Sequence, residues 1–284
     1  SSDQTCGTAR QLLFDQSWMD ADVEVLPPVL AGSIYFPTTH TPRDLSVLRM
    51  TPDQLVEDAR IYDATLGGGH GAAYLSTPVD SMRSFRDVLR AFQAGRVVLG
   101  PDVPLDQAWQ AIQRAGATEL FVAPMSLHKL TEAASAAGGA DVIKRVFVGT
   151  GTAQQNMLKR AIGVFSGARF DLAAGTPETS FYAHKIYDPD SHQTGQIGQV
   201  VGALVAQIRD ADDQPLGADQ AGSLAIWVPP AARLEGYLNR QPAYDADGWC
   251  TPGFLAQMDA AGNVTKLGRT DDRINIGGAR YFSG

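Results

Sequence analysis

Residues 268–280 read GRTDDRINIGGAR, and the interpretation of the whole chain starts from this stretch. A Gly-Arg pair comes first, two aspartates follow, and polar and apolar residues then alternate over residues 273–276. Alternation with a period of two is typical of a β-strand that buries one face. Taken alone, the stretch predicts a hairpin that ends in a strand.

Two glycine-containing strings precede this stretch. Residues 236–240 read GYLNR and residues 248–255 read GWCTPGFL. A β-meander with glycine turns would explain the glycines, but not the order and spacing of the three strings. In that order they resemble the motifs G-Y-L-N-R, G-W-[YF]-x-T-G-D-L and G-R-x-D-D-x-I-x-x-x-G-x-R of the ANL superfamily of acyl-CoA synthetases, nonribosomal peptide synthetase adenylation domains and luciferases. The resemblance covers about residues 36–284.

The resemblance implies an α/β fold, that of the superfamily's large N-terminal domain. That domain has two α/β subdomains, here residues 1–194, and a β-barrel-like subdomain, here residues 195–270, with the active site at their junction. Residues 271–284, including the hinge residue Asp271, would begin the small domain that carries a catalytic lysine in the family. We expect the small C-terminal domain to be missing here and further residues to follow Gly284, because a strand ending there would leave an unsatisfied edge.

Hydrophobic patterns agree with this organisation. Over about residues 53–173, short β-type runs alternate with helical patterns, which is typical of βαβ units and a largely parallel sheet. The predicted strand and helix pairs are 95–99 with 104–115, 120–124 with 126–137, and 145–149 with 153–165, and a strand follows near 169–173. Antiparallel strands are predicted later at 200–210, 222–228, 253–258 and 264–267, with a hairpin loop at 259–263. No linker divides the two parts, so we expect shared cores and one compact unit.

Composition narrows the class of function. The chain has 284 residues, 44% apolar and 19% charged, which is ordinary for a globular protein. Its formal charge of -8 argues against non-specific binding to nucleic acids or anionic membranes, because both need clustered cations. The apolar runs are far shorter than the ~20 residues that span a bilayer, so we expect a soluble protein. Small-molecule chemistry is the favoured function.

The cysteines and the beginning of the sequence bear on cellular location. Cys6 and Cys250 provide neither a disulfide framework nor a zinc-binding set. The first ten residues, SSDQTCGTAR, lack the apolar core of a signal peptide. Together these features predict a protein of the reducing cytoplasm.

A candidate nucleotide loop lies at residues 173–179, which read AAGTPET. It resembles the superfamily's Y-G-x-T-E-x loop, which stacks on adenine, contacts the α-phosphate and offers a carboxylate to Mg2+. The resemblance implies that Glu178 is catalytic and binds Mg2+, which prefers hard oxygen ligands. It implies nucleotide-binding positions at Ala174, Gly175 and Thr176. Ala174 cannot stack on a base and Pro177 lacks the family threonine's hydroxyl, so a strand end with a Gly-Pro turn is an equal interpretation of these residues alone.

A candidate phosphate loop lies at residues 36–43, FPTTHTPR. The segment keeps the T-T-x-x-P-[KR] part of the superfamily's [ST]-S-G-T-T-G-x-P-[KR]-G motif, but none of its glycines. The resemblance implies nucleotide binding by Thr38 and Thr39 and a catalytic role for Arg43. Backbone cradles for phosphate need a geometry that glycine permits and Pro37 partly forbids, so the side chains would have to hold the anion. A solvated surface loop is the alternative interpretation.

Of the two positions that bind ribose in the superfamily, one matches in this sequence and one does not. Arg269 stands where the superfamily has a ribose-contacting arginine, which implies a nucleotide-binding and catalytic role. Phe254 replaces the aspartate that holds both ribose hydroxyls. Losing a charged acceptor to a hydroxyl typically costs ~1–3 kcal/mol, or ten- to a hundred-fold in binding.

Two glycine clusters complete the candidate site. Residues 67–71, GGGHG, stand where the family places an aromatic residue or histidine beside the acid, which implies substrate binding by Gly69, His70 and Gly71. A structural histidine after a glycine turn is the competing interpretation. Residues 149–152, GTGT, resemble the adenine-edge loop and imply nucleotide contacts at Gly149, Thr150 and Gly151. A dinucleotide fold is disfavoured because Gln154 takes the place of the third glycine in G-x-G-x-x-G.

The resemblance implies a function and its cofactors. An enzyme of this superfamily joins a carboxylic acid to the α-phosphate of ATP, with Mg2+, which forms acyl-AMP and releases pyrophosphate from ATP. The short chain is similar to an atypical branch that serves phenazine antibiotic biosynthesis, so we expect an aromatic acid and a reductase or acyl acceptor protein as partner. The hydrolase elbow G-x-S-x-G, the P-loop and the H-E-x-x-H metal motif are absent from the sequence.

A second function stays open at this point. The chain would be a carboxylate-binding or scaffold protein with the same fold if nucleotide chemistry has been lost. Phe254, Ala174, Pro177 and the glycine-free phosphate segment favour that alternative. Glu178 and Arg269 favour the enzyme, because a decayed site has little structural reason to keep them.

Overall fold

The computed structural model describes residues 32–41, 44–67, 69, 71–77, 81–93, 96–100, 104–138, 140–149, 153–238, 243–270, 273–276 and 279–282. The helices are α1 (Pro52–Leu66), α2 (Met82–Gln93), α3 (Leu105–Arg114), α4 (Pro124–Ala136) and α5 (Gln155–Val164). The first eight strands are β1 (Ile34–Thr41), β2 (Asp44–Met50), β3 (Ala72–Leu75), β4 (Val98–Leu99), β5 (Ala117–Val122), β6 (Arg145–Val148), β7 (Arg169–Thr176) and β8 (Ser180–Ile186). The later strands are β9 (Gln196–Val200), β10 (Val205–Arg209), β11 (Gly222–Trp227), β12 (Gly236–Tyr237), β13 (Trp249–Cys250), β14 (Phe254–Met258), β15 (Asn263–Arg269), β16 (Arg273–Ile276) and β17 (Ala279–Phe282).

One large sheet organises the described residues. Twelve strands join in the order β10-β11-β14-β15-β9-β8-β7-β6-β5-β3-β4, with β13 paired to β11. Strands β4, β3, β5, β6 and β7 are parallel. From β7 the sheet continues through β8, β9, β15, β14, β11 and β10, and each of these neighbouring pairs is antiparallel. The predicted α/β body and the antiparallel strands that follow it are therefore continuous through one set of backbone hydrogen bonds.

Helix α1 shows how the local sequence sets an element. The Gln54 N–H donates to Thr51 Oγ1 and the Thr51 N–H donates to Gln54 Oε1, which forms a capping box at the helix start. Apolar residues at helical spacing then make one face of α1. The buried members of that face are Leu55, Ala59, Tyr62 and Leu66. Asp58 is a buried charged residue on the same helix. It pairs with Arg86, which donates a hydrogen bond to the Pro177 carbonyl in the β7–β8 turn.

The core has one large cluster that unites the two halves of the fold. It contains Tyr62 of α1, Phe147 and Phe181 of the central sheet, and Leu224 and Ile226 of β11. A second cluster packs α3, α4 and α5 against the parallel strands. The antiparallel strands therefore share buried apolar surface with the α/β body.

Some element boundaries differ from the sequence-based expectations. The predicted strand 200–210 is broken by a turn after Val200, and β10 begins only at Val205. The predicted strand 95–99 is reduced to Val98–Leu99. The stretch 268–280 contains the end of β15 and most of the β16–β17 hairpin, while Asp271 lies outside the described residues. None of the described helices combines the length and apolar character needed to cross a membrane.

Candidate active site

The carboxyl ends of the parallel strands define the edge at which a site is expected. The chain passes from β3 outward to β4 and then returns to β5 on the other side of β3, so connections diverge between β3 and β5. Open α/β sheets bind ligands in the crevice at such a switch point. Gly149, directly after β6, and the β7–β8 turn with Glu178 both lie at this edge.

The turn with Glu178 is fixed by two threonines. The Thr176 N–H donates to Thr179 Oγ1 and the Thr179 N–H donates to Thr176 Oγ1, each at 3.3 Å. Gly175 lies so close to the Ser180 carbonyl that an added Cβ would overlap it. Ala174 is buried in the large core cluster and presents no ring to a base. The predicted residues Ala174, Gly175 and Thr176 therefore form the end of β7, and Glu178 lies in the tight turn that follows it.

Two tyrosines hold Glu178, Tyr237 of β12 and Tyr244 of the segment between β12 and β13. The Tyr237 hydroxyl donates to Glu178 Oε1, and the Tyr244 hydroxyl donates to the Glu178 carbonyl at 2.6 Å. Tyr244 Oη also accepts the Leu234 N–H at 3.0 Å. Burial raises the pKa of Tyr244, so its hydroxyl remains a donor across the physiological pH range. The sequence motif contained Tyr237 without giving it a role, and Tyr244 was missed.

The donors around Glu178 fit a metal that arrives with a substrate. Tyr237 uses one carboxylate oxygen of Glu178, which leaves the second for another partner. Among the described residues, no group of three or more His, Cys, Asp or Glu side chains could hold a metal ion. Mg2+ commonly takes one or two protein carboxylates and completes its shell with waters and substrate phosphates. Glu178 suits that mode of binding better than a resident metal centre.

The second cluster of site residues is built on the β14–β15 pair. Phe254 and Arg269 are register partners across this antiparallel ladder. The Arg269 guanidinium carbon lies 4.5 Å from the Phe254 ring centroid, and Lys266 Nζ lies 3.6 Å from it. Burial and the nearby Arg269 charge lower the pKa of Lys266 to about 8. Phe254 therefore faces two cations through its ring, and sequence reasoning had not identified Lys266.

Buried groups connect these two clusters electrostatically. Burial raises the pKa of Cys250 strongly and the Glu178 charge adds to that effect, so the thiol stays neutral and is a poor nucleophile. Burial likewise raises the pKa of Tyr182, which Arg269 opposes and Cys250 reinforces. The charges of Glu178 and Arg269 thus influence two buried groups, Cys250 and Tyr182, that also interact with each other.

The predicted phosphate segment forms a strand rather than an open loop. Thr38 and Thr39 lie in β1 and pair with Ser46 and Leu45 of β2, while Arg43 lies outside the described residues. The hairpin pairs with β12 in turn, through Leu48 and Tyr237. The backbone of this segment is therefore in the same small sheet as the tyrosine that holds Glu178.

The predicted acid-binding glycines lie elsewhere. Gly69 and Gly71 precede β3 at the amino edge of the parallel strands, opposite Gly149. The Arg96–Glu119 ion pair (2.7 Å) packs against Gly69, and Arg96 Nε donates to the Gly71 carbonyl at 2.9 Å. The structure does not bring these glycines together with Glu178, and we do not carry them into the proposed site. His70, Thr150 and Gly151 lie outside the described residues.

The chain is similar to known proteins in sequence and in fold. No family model matches the chain. A 2-hydroxy-7-methoxy-5-methyl-1-naphthoate–CoA ligase of Streptomyces carzinostaticus is 25% identical over 193 residues, which are 66% of this chain and 34% of that protein. The amide bond synthetase McbA of Marinactinospora thermotolerans superposes with a TM-score of 0.77 at 20% identity, over 89% of this chain and 52% of McbA. The o-succinylbenzoate CoA synthetase MenE of Bacillus subtilis, in complex with ATP and magnesium ion, superposes with a TM-score of 0.71 at 20% identity, over 87% and 51%.

These similarities identify the fold of the chain. The fold is the mixed α/β fold of ANL adenylating enzymes, as predicted from the sequence, and the chain spans about half the length of the two matched structures and about a third of the matched ligase. CoA ligases are among its sequence relatives, and its structural neighbours are ANL adenylating enzymes.

Proposed function

We propose that this chain forms the large domain of an adenylating enzyme that joins a carboxylic acid to ATP and releases pyrophosphate. The observation that carries the proposal is the Glu178 turn at the carboxyl edge of the sheet, held by Tyr237 and Tyr244. Tyr237 bonds the carboxylate of Glu178 and Tyr244 bonds its backbone carbonyl, so both the side chain and the backbone of this residue are positioned. Such fixed positioning and charge stabilisation are the main contributions that an enzyme makes to transfer at phosphorus.

The chain's own residues divide the work of this reaction. Glu178 would hold Mg2+ through its second oxygen, and Mg2+ when bound would neutralise charge on the ATP phosphates. Arg269 adds a cation on the β14–β15 side, beside Tyr182. Ala174 and Phe254 supply neither a stacking ring for adenine nor an acceptor for ribose, so we expect ATP to bind more weakly than with both contacts, by about ten-fold or more.

An aromatic acid is the proposed substrate class. The naphthoate ligase from Streptomyces carzinostaticus is a relative whose name contains an aromatic acid. A role in antibiotic biosynthesis, including phenazine formation, and transfer to a reductase or acyl acceptor protein extend this proposal.

A second candidate function is carboxylate binding without ATP chemistry. The observation that favours it is Phe254, whose ring stacks against Lys266 and Arg269 in place of an acceptor. The two functions differ in whether Mg-ATP binds at all.

Calorimetric titration with Mg-ATP, with and without benzoate or 1-naphthoate, separates the two. The enzyme should bind Mg-ATP and catalyse acid-dependent exchange of pyrophosphate into ATP. Glu178→Gln should abolish this exchange, because the neutral amide removes the charge that Mg2+ requires. Glu132→Gln, an exposed change on α4, is the matched control and should retain exchange. A chain that binds no Mg-ATP at millimolar concentration is not an adenylating enzyme.

A further inference from the structure

Arg83 is a cation at the carboxyl edge that the reaction above does not use. It lies in the first turn of α2, directly downstream of β3, and its side chain is 22% exposed. Its guanidinium carbon is 5.2 Å from the Phe147 ring centroid. An added Cβ on Gly149 would lie 2.5 Å from Arg83 Nη1. Glycine at position 149 therefore leaves room for this guanidinium in the crevice.

The ion pairs of α2 leave Arg83 incompletely neutralised. The other two buried arginines of the helix each have a close carboxylate, in the pairs Arg86–Asp58 (2.5 Å) and Arg90–Asp63 (2.7 Å). The carboxylate nearest to Arg83 is Asp87, whose Oδ2 is 3.8 Å from Arg83 Nε. Asp87 is shared with Arg90, also at 3.8 Å, and burial raises its pKa. Arg83 therefore has no close carboxylate of its own among the described residues.

The terminal nitrogens of Arg83 point to a ligand. Within the described part of the chain, neither Nη1 nor Nη2 donates a hydrogen bond, although a guanidinium carries four N–H groups there. The Gly149 N–H is already bonded to the Val122 carbonyl at 3.2 Å, so the loop backbone cannot take an anion through this donor. Among the described groups beside Gly149, the Arg83 guanidinium is the cation that can take an anion.

We infer that Arg83 binds the carboxylate of the acid substrate through both terminal nitrogens. A planar guanidinium matches a carboxylate in a two-bond geometry that a lysine cannot reproduce. The inference rests on the proposed function for the identity of the acid as substrate. Arg83 is then a specificity-determining residue that selects an acid over its neutral analogues.

Equilibrium binding of 1-naphthoate and 1-naphthamide, without nucleotide, tests the inference. The two probes share one ring system and differ in charge. The natural chain should bind the acid at least about ten-fold more tightly than the amide, because hydrogen bonds to charged groups are the stronger kind. Arg83→Gln should abolish that preference, and Arg83→Lys should keep part of it. Arg60→Gln, an exposed change on α1, should leave the preference unchanged.

A second variant guards against a folding defect in Arg83→Gln. Gly149→Ala places a methyl group where the guanidinium lies and should reduce the preference for the acid with Arg83 still present. Far-ultraviolet circular dichroism and thermal melting verify folding of each variant. Equal affinity for acid and amide in the natural chain, or a preference that survives both Arg83→Gln and Gly149→Ala, overturns the inference.

The outcomes separate this inference from the proposed function. If pyrophosphate exchange occurs and Arg83→Gln does not raise the KM for the acid, the inference about Arg83 fails and the adenylating function stands. If the acid is preferred through Arg83 but Mg-ATP does not bind, the adenylating function fails and the carboxylate site stands. Both hold if Arg83→Gln raises the KM for the acid and leaves the KM for ATP unchanged.

Discussion

The turn with Glu178 and the β14–β15 pair with Phe254 are stabilised in different ways. The Glu178 turn is held by hydrogen bonds from Tyr237 and Tyr244, and Arg86 Nη2 donates to the Pro177 carbonyl beside it at 3.4 Å. The β14–β15 pair instead stacks two cations on one aromatic ring. One region orients a carboxylate outward, and the other has replaced a polar acceptor by an apolar ring.

This difference bears on which part of the proposed adenylating site has polar groups for a ligand. The partly buried carboxylate of Glu178 is positioned by a tyrosine 59 residues further along the chain. A ring in place of an aspartate removes ribose contacts but packs well with cations. In the proposed site, the Glu178 turn therefore supplies polar groups, and the β14–β15 pair supplies a ring and two cations but no acceptor at position 254.

The largest expected effect comes from the ion pair that supports the Glu178 turn. Asp58 lies 2.5 Å from Arg86, and both side chains are buried. Asp58→Ala should lower the free energy of unfolding by about 3–5 kcal/mol, because it leaves a buried guanidinium unpaired. Urea denaturation of the purified chain measures the change. Asp190→Ala on an exposed turn should alter stability by less than about 0.5 kcal/mol. Equal effects of the two changes would show that the pair gives no support to the turn.

A tyrosine comparison tests the hydrogen bonds of the same turn. Tyr244→Phe removes a hydroxyl that bonds both Glu178 and Leu234 and should cost about 1–3 kcal/mol. Tyr182→Phe is the matched control, because its buried hydroxyl has no hydrogen-bond partner among the described residues. That change should be nearly neutral or stabilising. Thermal melting of both variants decides, and a larger loss from Tyr182→Phe would contradict the assignment of these bonds.

The fold was predictable from the sequence where the spacing of apolar residues matches the period of a helix or a strand. Residues 155–164 and 145–148 form the helix and strand expected from their patterns because each buries a continuous apolar face. The strand predicted at 200–210 failed because the apolar run continues through the turn, and a count of apolar residues does not distinguish a buried turn from a buried strand.

The site was only partly predictable, for a different reason. Glu178 was recognised because its neighbours in sequence resemble a known loop. Tyr244 and Arg86 approach that turn from 66 and 91 residues away in the chain, and no local pattern records such contacts. Arg83 was missed in the same way, since a charged residue in the first turn of a helix ordinarily indicates a solvated position. Polar contacts between residues that are distant in the chain could be identified only from the three-dimensional structure.

The last prediction reverses the replacement at position 254. Phe254→Asp restores an acceptor between Lys266 and Arg269 and should tighten Mg-ATP binding by about ten-fold, measured by calorimetry. The new carboxylate should also raise the pKa of Lys266 from about 8, because a nearby negative charge favours the ammonium form. Nuclear magnetic resonance of reductively 13C-methylated lysines follows that titration. Phe254→Leu removes the ring without adding an acceptor, so it should leave ATP binding weak. If Phe254→Asp raises the pKa of Lys266 but leaves ATP affinity unchanged, the β14–β15 pair does not face the ribose, and the nucleotide contacts must be sought elsewhere at the carboxyl edge.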